Sequence, residues 1–179
     1  DPVRPTIFPD WKAHGVVDMR TAIAVSSDVY FYMLGGGYGG QRGLGIERLA
    51  EWFRMFGLTT ETGIELPGEA EGFVPTPAWK EATLGEIWRI GNTYHTAIGQ
   101  YAMQVTPIAM ARSIAAIANG GRLVKPTLIE DTPVAGETLT IDAWALEVAR
   151  EGMRMAVTEG TAIGLSALDI YAPIAGKTG

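Results

Sequence analysis

The stretch IAMARSIAAIA, residues 108–118, is apolar on almost every face of a helix. Thr106-Pro107 supplies an N-cap followed by proline at the first helical position, and Asn119-Gly120-Gly121 supplies the stop. A helix without a broad polar face is expected in a domain interior. The rest of the chain must then supply layers around it. With 179 residues, 47% of them hydrophobic and 19% charged, it is long enough to bury a sizeable core.

The flanking text reads as further helices with few strands. Residues 1–17 carry Pro2, Pro5 and Pro9 and no period, and read as loop. Asp18 is placed to cap MRTAIAVSSDVYFYML, a helical stretch with an interruption. The glycine tract GGGYGGQRGLG comes next. Ile46, Leu49, Ala50 and Phe53 then form the apolar side of an amphipathic helix, with Glu47, Arg48, Glu51 and Arg54 opposite and Gly57 at its end. TGIELPGEAEGFVPTPAW is punctuated by Gly and Pro and reads as irregular, with one short strand at most. RLVKPTLI predicts a strand or strand pair, Asp142 caps a helix to about Val157, and DIYAPIAGKTG predicts a final strand. Helices that do not alternate strictly with strands give an α+β class.

Charge and composition exclude several functions. A net charge of −6 without a basic cluster argues against a nucleic-acid partner. No cysteine is present, so disulfides and thiolate metal sites are excluded within this sequence, and an oxidising compartment would suit it. No apolar run approaches the ~18 residues that a membrane-spanning helix needs.

Four clusters could carry chemistry. Gly35-x-Gly37-x-x-Gly40 matches a dinucleotide fingerprint formally. That motif needs a strand before it and a helix behind it, and here it comes after a helix, so a flexible loop is the better reading. Asp10, His14 and Asp18 are four apart and would share a helical face. Pro9 and Gly15 argue against a continuous helix, which favours a loop with solvated polar groups. His95 stands alone and reads as a hydrogen-bonded loop residue. Ser26 interrupts the apolar stripe Ala22, Val29, Met33, and a buried hydroxyl needs a partner. Asp28 lies two positions on, and i and i+2 point apart on a helix, so these two can act together only if the helix breaks between them. Finally, Lys177-Thr178-Gly179 is either a strand end with a solvated lysine or a carboxylate site. In the second reading Lys177 supplies charge, Thr178 a hydroxyl, and Gly179 room for an extended ligand.

Ser-x-Asp at 26–28 and Lys-Thr-Gly 151 positions later resemble the second and third motifs of the penicillin-recognising serine acyltransferases. The separation suits a penicillin-binding protein and is long for a β-lactamase. TGIELPGEAEGFVPTPAWK, IGNTYHTAIGQYAMQVTPIAMARSIAAIANGG and EGTA are similar to the class B transpeptidases. SSDVYFY and WRIGNTYHTAIGQ are most similar to the elongation branch, the penicillin-binding protein 2 group. The resemblance covers nearly the whole chain. Departures are Asp28 where Asn is more widespread, and Tyr101 after Ile98-Gly99-Gln100 where Gly is commoner. The latter is expected to alter a loop and not the chemistry.

The resemblance implies a transpeptidase fold, in part: the helical portion and the start of an antiparallel sheet. The family's nucleophile motif is Ser-x-x-Lys, and none of Ser26, Ser27, Ser113 and Ser166 has Lys three positions later. This chain is therefore expected to be an internal fragment, 1–179, lacking the upstream nucleophile and the strands after Lys-Thr-Gly, and doubtful as an independent folding unit. The implied activity is crosslinking of D-Ala-D-Ala stem peptides through an acyl-serine, with Ser26, Asp28 and Lys177 catalytic, and Thr178 and Gly179 at the substrate. The implied partners are peptidoglycan stem peptides, β-lactams, a glycosyltransferase and elongation-complex proteins. The implied location is the outer face of the cell membrane, through an anchor elsewhere. No cofactor is implied. Some members of this branch hold zinc near the segment matching Asp10 and His14, with Cys among the ligands; lacking Cys, this chain is not expected to. The alternatives are a penicillin-sensing or scaffold homologue, or a D,D-carboxypeptidase.

Overall fold

The computed structural model describes residues 5–168 and 172–179. The described residues contain helices α1 (Met19–Val25), α2 (Asp28–Gly36), α3 (Ile46–Met55), α4 (Pro77–Leu84), α5 (Ile90–Ala97), α6 (Pro107–Ala118) and α7 (Ala143–Thr158). Strands β1 (Gly37–Tyr38) and β2 (Gln41–Arg42) form one antiparallel hairpin. Strands β3 (Arg122–Val124) and β4 (Gly136–Thr138) form another, with Leu123 opposite Glu137. A short 3-10 turn spans Ile163–Ala167.

Two helix pairs position everything that matters for function. In the first, α1 lies against α7, and Gly152 is a point of close approach. A Cβ there would sit 2.8 Å from Ile23 Cβ, which real side chains do not tolerate. The end of α7 is then tied to the end of α1, because the Thr161 N–H donates to the Ala24 carbonyl at 3.0 Å. In the second pair, α2 packs on α5 through Gly35, where a Cβ would come 2.5 Å from Ala97 Cβ. Thus Gly35 and Gly36 belong to a helix–helix contact and Gly37 opens a hairpin. The expected flexible glycine loop is an ordered turn, because the first two glycines are needed for packing.

The apolar helix α6 buries only one stripe, Ala109, Ser113 and Ala116. Its small residues let β3 close over it, and Ala116, Leu123 and Leu139 form a buried cluster edged by Met55, Phe56 and Ile141. Met110 and Ile114 on the other side remain 39% and 37% exposed. The expectation of burial all round is therefore not met: among the described residues, neighbours cover only one side of the helix.

Other differences have local causes. Within 122–129 only Arg122–Val124 pairs, and its partner is Gly136–Thr138, since Pro126 lacks the N–H that would extend the ladder. Thr76-Pro77 starts α4 with the Thr76 hydroxyl capping Trp79 N–H, the signal that also starts α6. The strand expected just before it reduces to one bridge, Phe73 with Gln104. Helix α5 has no strong propensity behind it; the Asn92 side chain caps it by accepting from Arg89 N–H at 2.9 Å. His95 lies on α5 against Phe8 and Tyr32, not in a loop. Of the final predicted strand, 169–171 fall outside the described residues, and 172–179 have no strand partner among the described residues. No helix of the described residues is long and apolar enough to cross a membrane.

Candidate active site

The helix breaks where Ser26 and Asp28 require it to. Ser26 takes a left-handed conformation, φ 56 and ψ 51, and closes α1; Ser27 caps α2, which starts at Asp28. A non-glycine residue in this region costs about 1–3 kcal/mol and persists only where neighbours enforce it. The neighbours are visible. Ser27 N–H donates to Ala22 O at 3.0 Å, and Trp11 Nε1–H donates to Val25 O and Ser26 O at 3.1 and 3.0 Å. Asp10 accepts from Ser27 Oγ at 2.7 Å and from the Asp28 and Val29 N–H groups at 3.2 Å each. Asp10 is thus not the solvated loop carboxylate expected from sequence: the N–H groups at the start of α2 need an acceptor, and it supplies one.

Lys177 reaches the same place from the other end of the chain. Its Nζ donates to Ser26 Oγ at 2.6 Å and to Thr178 O at 2.6 Å. Helix α7 carries this segment: Gly176 N–H donates to Met153 O at 3.0 Å, and Arg154 Nη1 to Ile174 O at 2.6 Å. The Thr178 hydroxyl shares a 2.7 Å hydrogen bond with that of Thr161. Since Thr161 is also bonded to Ala24 O, the pair α1–α7 fixes both arms relative to one another.

Between the arms lies a cleft of about 350 Å³ lined by Ser26, Asp28, Phe31, Gln100, Lys177 and Thr178, among others. A larger hollow of about 490 Å³ lies under Phe8, Tyr32 and Tyr94. It is apolar and brings no acid and base together, so the smaller cleft is the chemical candidate. Partial withdrawal from water pushes the Asp28 carboxyl up, and the Asp10 charge adds to this while Lys177 opposes it. Withdrawal from water likewise holds the Lys177 ammonium below the usual lysine value, with Asp28 working the other way. Lys177 remains an exposed residue, so water still reaches part of it. Burial alone would raise Asp10, but hydrogen bonds from Ser27, Val29, Asp28 and Trp11 outweigh it and hold its carboxyl low.

All five residues singled out from sequence, Ser26, Asp28, Lys177, Thr178 and Gly179, line this one cleft. Asp18 is elsewhere: its carboxylate caps α1 through Thr21 N–H at 2.8 Å. Residues 10–18 are not helical, so Asp10, His14 and Asp18 share no helix face. His14 Nε2 lies 3.5 Å from Asp10 Oδ1. Among the described residues no group of three His, Asp or Glu side chains is placed to hold a metal ion. The sequence reading missed Thr161 and Gln100 as site neighbours. Both sit in segments, EGTA and IGQ, that carried the family resemblance without an assigned role.

The penicillin-binding protein transpeptidase domain model matches residues 2–179. Peptidoglycan D,D-transpeptidase MrdA of Acinetobacter baumannii is 36% identical, over 96% of this chain and 26% of that protein. The MrdA of Haemophilus influenzae is 32% identical, over 96% and 28%. The chain therefore spans about a quarter of the length of these relatives. Among solved structures, Helicobacter pylori PBP2 in complex with MreC superposes with a TM-score of 0.82 at 33% identity, covering 96% of this chain and 32% of that one. Pseudomonas aeruginosa PBP2 gives 0.79 at 30% identity, covering 99% and 42%. By sequence match, fold and the Ser-x-Asp and Lys-Thr-Gly residues gathered in one cleft, the chain belongs to the penicillin-binding protein transpeptidase family, among proteins of the penicillin-binding protein 2 kind.

Proposed function

We propose that this chain forms two walls of the acyl-transfer site of an elongation-type peptidoglycan D,D-transpeptidase, and that the nucleophilic serine belongs to a Ser-x-x-Lys segment of the longer protein. The observation that carries this reading is the 2.6 Å contact between Lys177 Nζ and Ser26 Oγ, made by residues 151 positions apart across an open cleft. A hydrophobic core does not need a lysine aimed at a serine; an acyl-transfer site does.

The serine oxygen attacks the carbonyl carbon of the penultimate D-Ala, and its proton passes to the lysine of its own motif. The C–N bond to the terminal D-Ala breaks, and the leaving amine takes a proton relayed through Ser26 Oγ. An amine from a neighbouring stem then attacks the ester, forming the crosslink and returning the serine. Lys177, with Thr178, holds the donor's terminal carboxylate. Its positive charge beside Ser26 also stabilises negative charge developing on that oxygen, which eases passage of the hydroxyl proton to the leaving amine. Asp28 accepts hydrogen bonds from the nearby lysine or the substrate amide. Gly179, which lines the cleft without a side chain, leaves room for an extended stem peptide. A β-lactam occupies the donor's place and acylates the same serine.

The MreC-bound relative supports an elongation-complex protein as a partner, and a glycosyltransferase is proposed as a second partner. The location proposed is the outer face of the cell membrane, through an anchor outside this chain. The test is incubation of the full-length enzyme with stem pentapeptides and mass analysis of products. Release of D-Ala with a crosslinked dimer supports the reading. Release of D-Ala with hydrolysed monomer only would make it a carboxypeptidase, and no release a non-catalytic homologue.

A further inference from the structure

We propose that Asp10 and Trp11 form a clamp that positions Ser26 and Asp28 for acyl transfer, so that a loop outside the recognised motifs sets the geometry of the site. The inference rests on the acyl-transfer reading of this cleft. Hydrogen bonds from both clamp residues converge on the short turn between α1 and α2. Asp10 accepts from Ser27 Oγ–H and from the N–H groups of Asp28 and Val29, and Trp11 Nε1–H donates to the carbonyls of Val25 and Ser26. Together they hold both faces of the break: one residue supplies the acceptor that the N-terminus of α2 needs, and the next supplies the donor that the C-terminus of α1 needs. Trp11 N–H also donates to Asp10 Oδ1 at 2.9 Å, which locks the two clamp residues together.

The turn would not keep its shape unaided. Ser26 is left-handed, and its carbonyl, with that of Val25, is gripped by the indole. Released, Ser26 relaxes toward a right-handed conformation, α1 and α2 tend to merge, and the Ser26 and Asp28 side chains diverge as i and i+2 do on a helix. A displacement of this kind at reacting groups costs rate out of proportion to its size. Asp10 acts also through its charge. Asp28 faces Asp10 and His14 from the N-terminal loop, His95 from α5 and Lys177 from the C-terminal segment. Of these, Asp10 is the anion, and it opposes ionisation of Asp28.

The experiment measures acylation of the full-length enzyme by a fluorescent penicillin across pH, with melting temperature recorded for each variant. Labelling of the wild-type enzyme comes first; its failure would bring down the acyl-transfer reading itself, whereas the variants bear on the clamp alone. Asp10→Asn should slow acylation by about 10-fold or more and move the acidic limb of the profile to lower pH, because burial still holds Asp28 up but the charge that adds to it is gone. Asp10→Glu should keep the limb where it is in the wild type. Trp11→Phe should slow acylation by about 3-fold without moving the limb. An Asp10→Asn enzyme with the wild-type rate, or with a lower rate and an unmoved limb, would overturn the proposal. Should Asp10→Asn fail to fold, Trp11→Phe decides: wild-type acylation would overturn the clamp, and slowed acylation at unchanged melting temperature would support it.

Discussion

Ser26 and Lys177 meet at 2.6 Å, yet the two are held there in different ways. Ser26 sits at a strained turn between two helices, gripped from α1 through its N–H and by the Trp11 indole through its carbonyl. Lys177 sits on an extended segment without strand pairing, attached to α7 through Gly176 and Ile174 and to Thr161 through Thr178. The first arm is built for fixed geometry. The second is tethered only at intervals, and between its ties to α7 and Thr161 it presents Lys177 to the cleft. An acyl-transfer site needs both: a rigid proton path and an open channel for the donor.

If that contrast is right, the largest effect should come from removing the charge on the open arm. Lys177→Ala in the full-length enzyme should slow penicillin acylation by at least ~10²-fold, as expected for losing a preorganised electrostatic contact. Stopped-flow acylation at wild-type speed would break the comparison at its root.

Thr161→Val should cost about 10-fold, the effect of one lost positioning hydrogen bond on a reacting geometry. The variant keeps the Thr161 N–H bond to Ala24 O and loses the hydroxyl, which steadies Thr178 and makes a longer, 3.3 Å, second bond to Ala24 O. Its effect should fall on acylation and not on melting temperature. A drop in melting temperature with unchanged acylation would make Thr161 a structural residue only.

The pH profile sharpens the comparison further. Asp28 titrates above its ordinary value, mainly through burial, so acylation should fall on the acidic side as pH drops through that raised pKa. Lys177 titrates below its ordinary value, again mainly through burial, so the alkaline limb should begin earlier than for a free lysine. Asp28→Asn should abolish the acidic limb and keep the alkaline one. It should also raise melting temperature at neutral pH. A carboxyl whose folded pKa lies above its unfolded one favours the fold below the unfolded pKa, and this contribution is lost as pH rises through the folded pKa. An acidic limb that survives in Asp28→Asn would assign it to another group.

The smallest effect concerns the loop after α5. Tyr101 is left-handed, φ 68, at the position where the family resemblance leads one to expect glycine. Its ring is held edge-on by Trp79 and Trp88, at 6.3 and 5.9 Å, and Lys80 lies 5.9 Å above it. Tyr101→Gly relieves the strain and loses the ring, and should change stability by less than about 1 kcal/mol. Tyr101→Ala keeps the strain and loses the ring, and should cost about 2 kcal/mol. Equal melting temperatures for the two would show that the backbone there is not strained.

Much of this was legible in the residues, and the remainder was hidden for one common reason. The caps Asp18, Thr106 and Asn119 mark helix ends through local chemistry, and the structure places them there. The requirement for a break between Ser26 and Asp28 came from helical geometry. By contrast, α5 has little propensity of its own; it depends on Gly35 and Gly36 letting α2 come close, a contact between residues far apart in the chain. The exposed side of α6 and the unpaired segment 172–179 depend on which neighbours cover them, which periodicity does not encode. Asp10 looked like a loop carboxylate because its partners, Ser27, Asp28 and Val29, are distant in sequence. Thr161 was hidden for the same reason.

The central claim is that these two arms serve a serine supplied from another segment of the protein. Peptide mapping of the penicillin adduct on the full-length enzyme tests this most directly. The account predicts one acylated serine, on a peptide outside residues 1–179, with residues 1–179 expressed alone forming no adduct by intact mass. An acyl group found on Ser26, Ser27, Ser113 or Ser166 would contradict it.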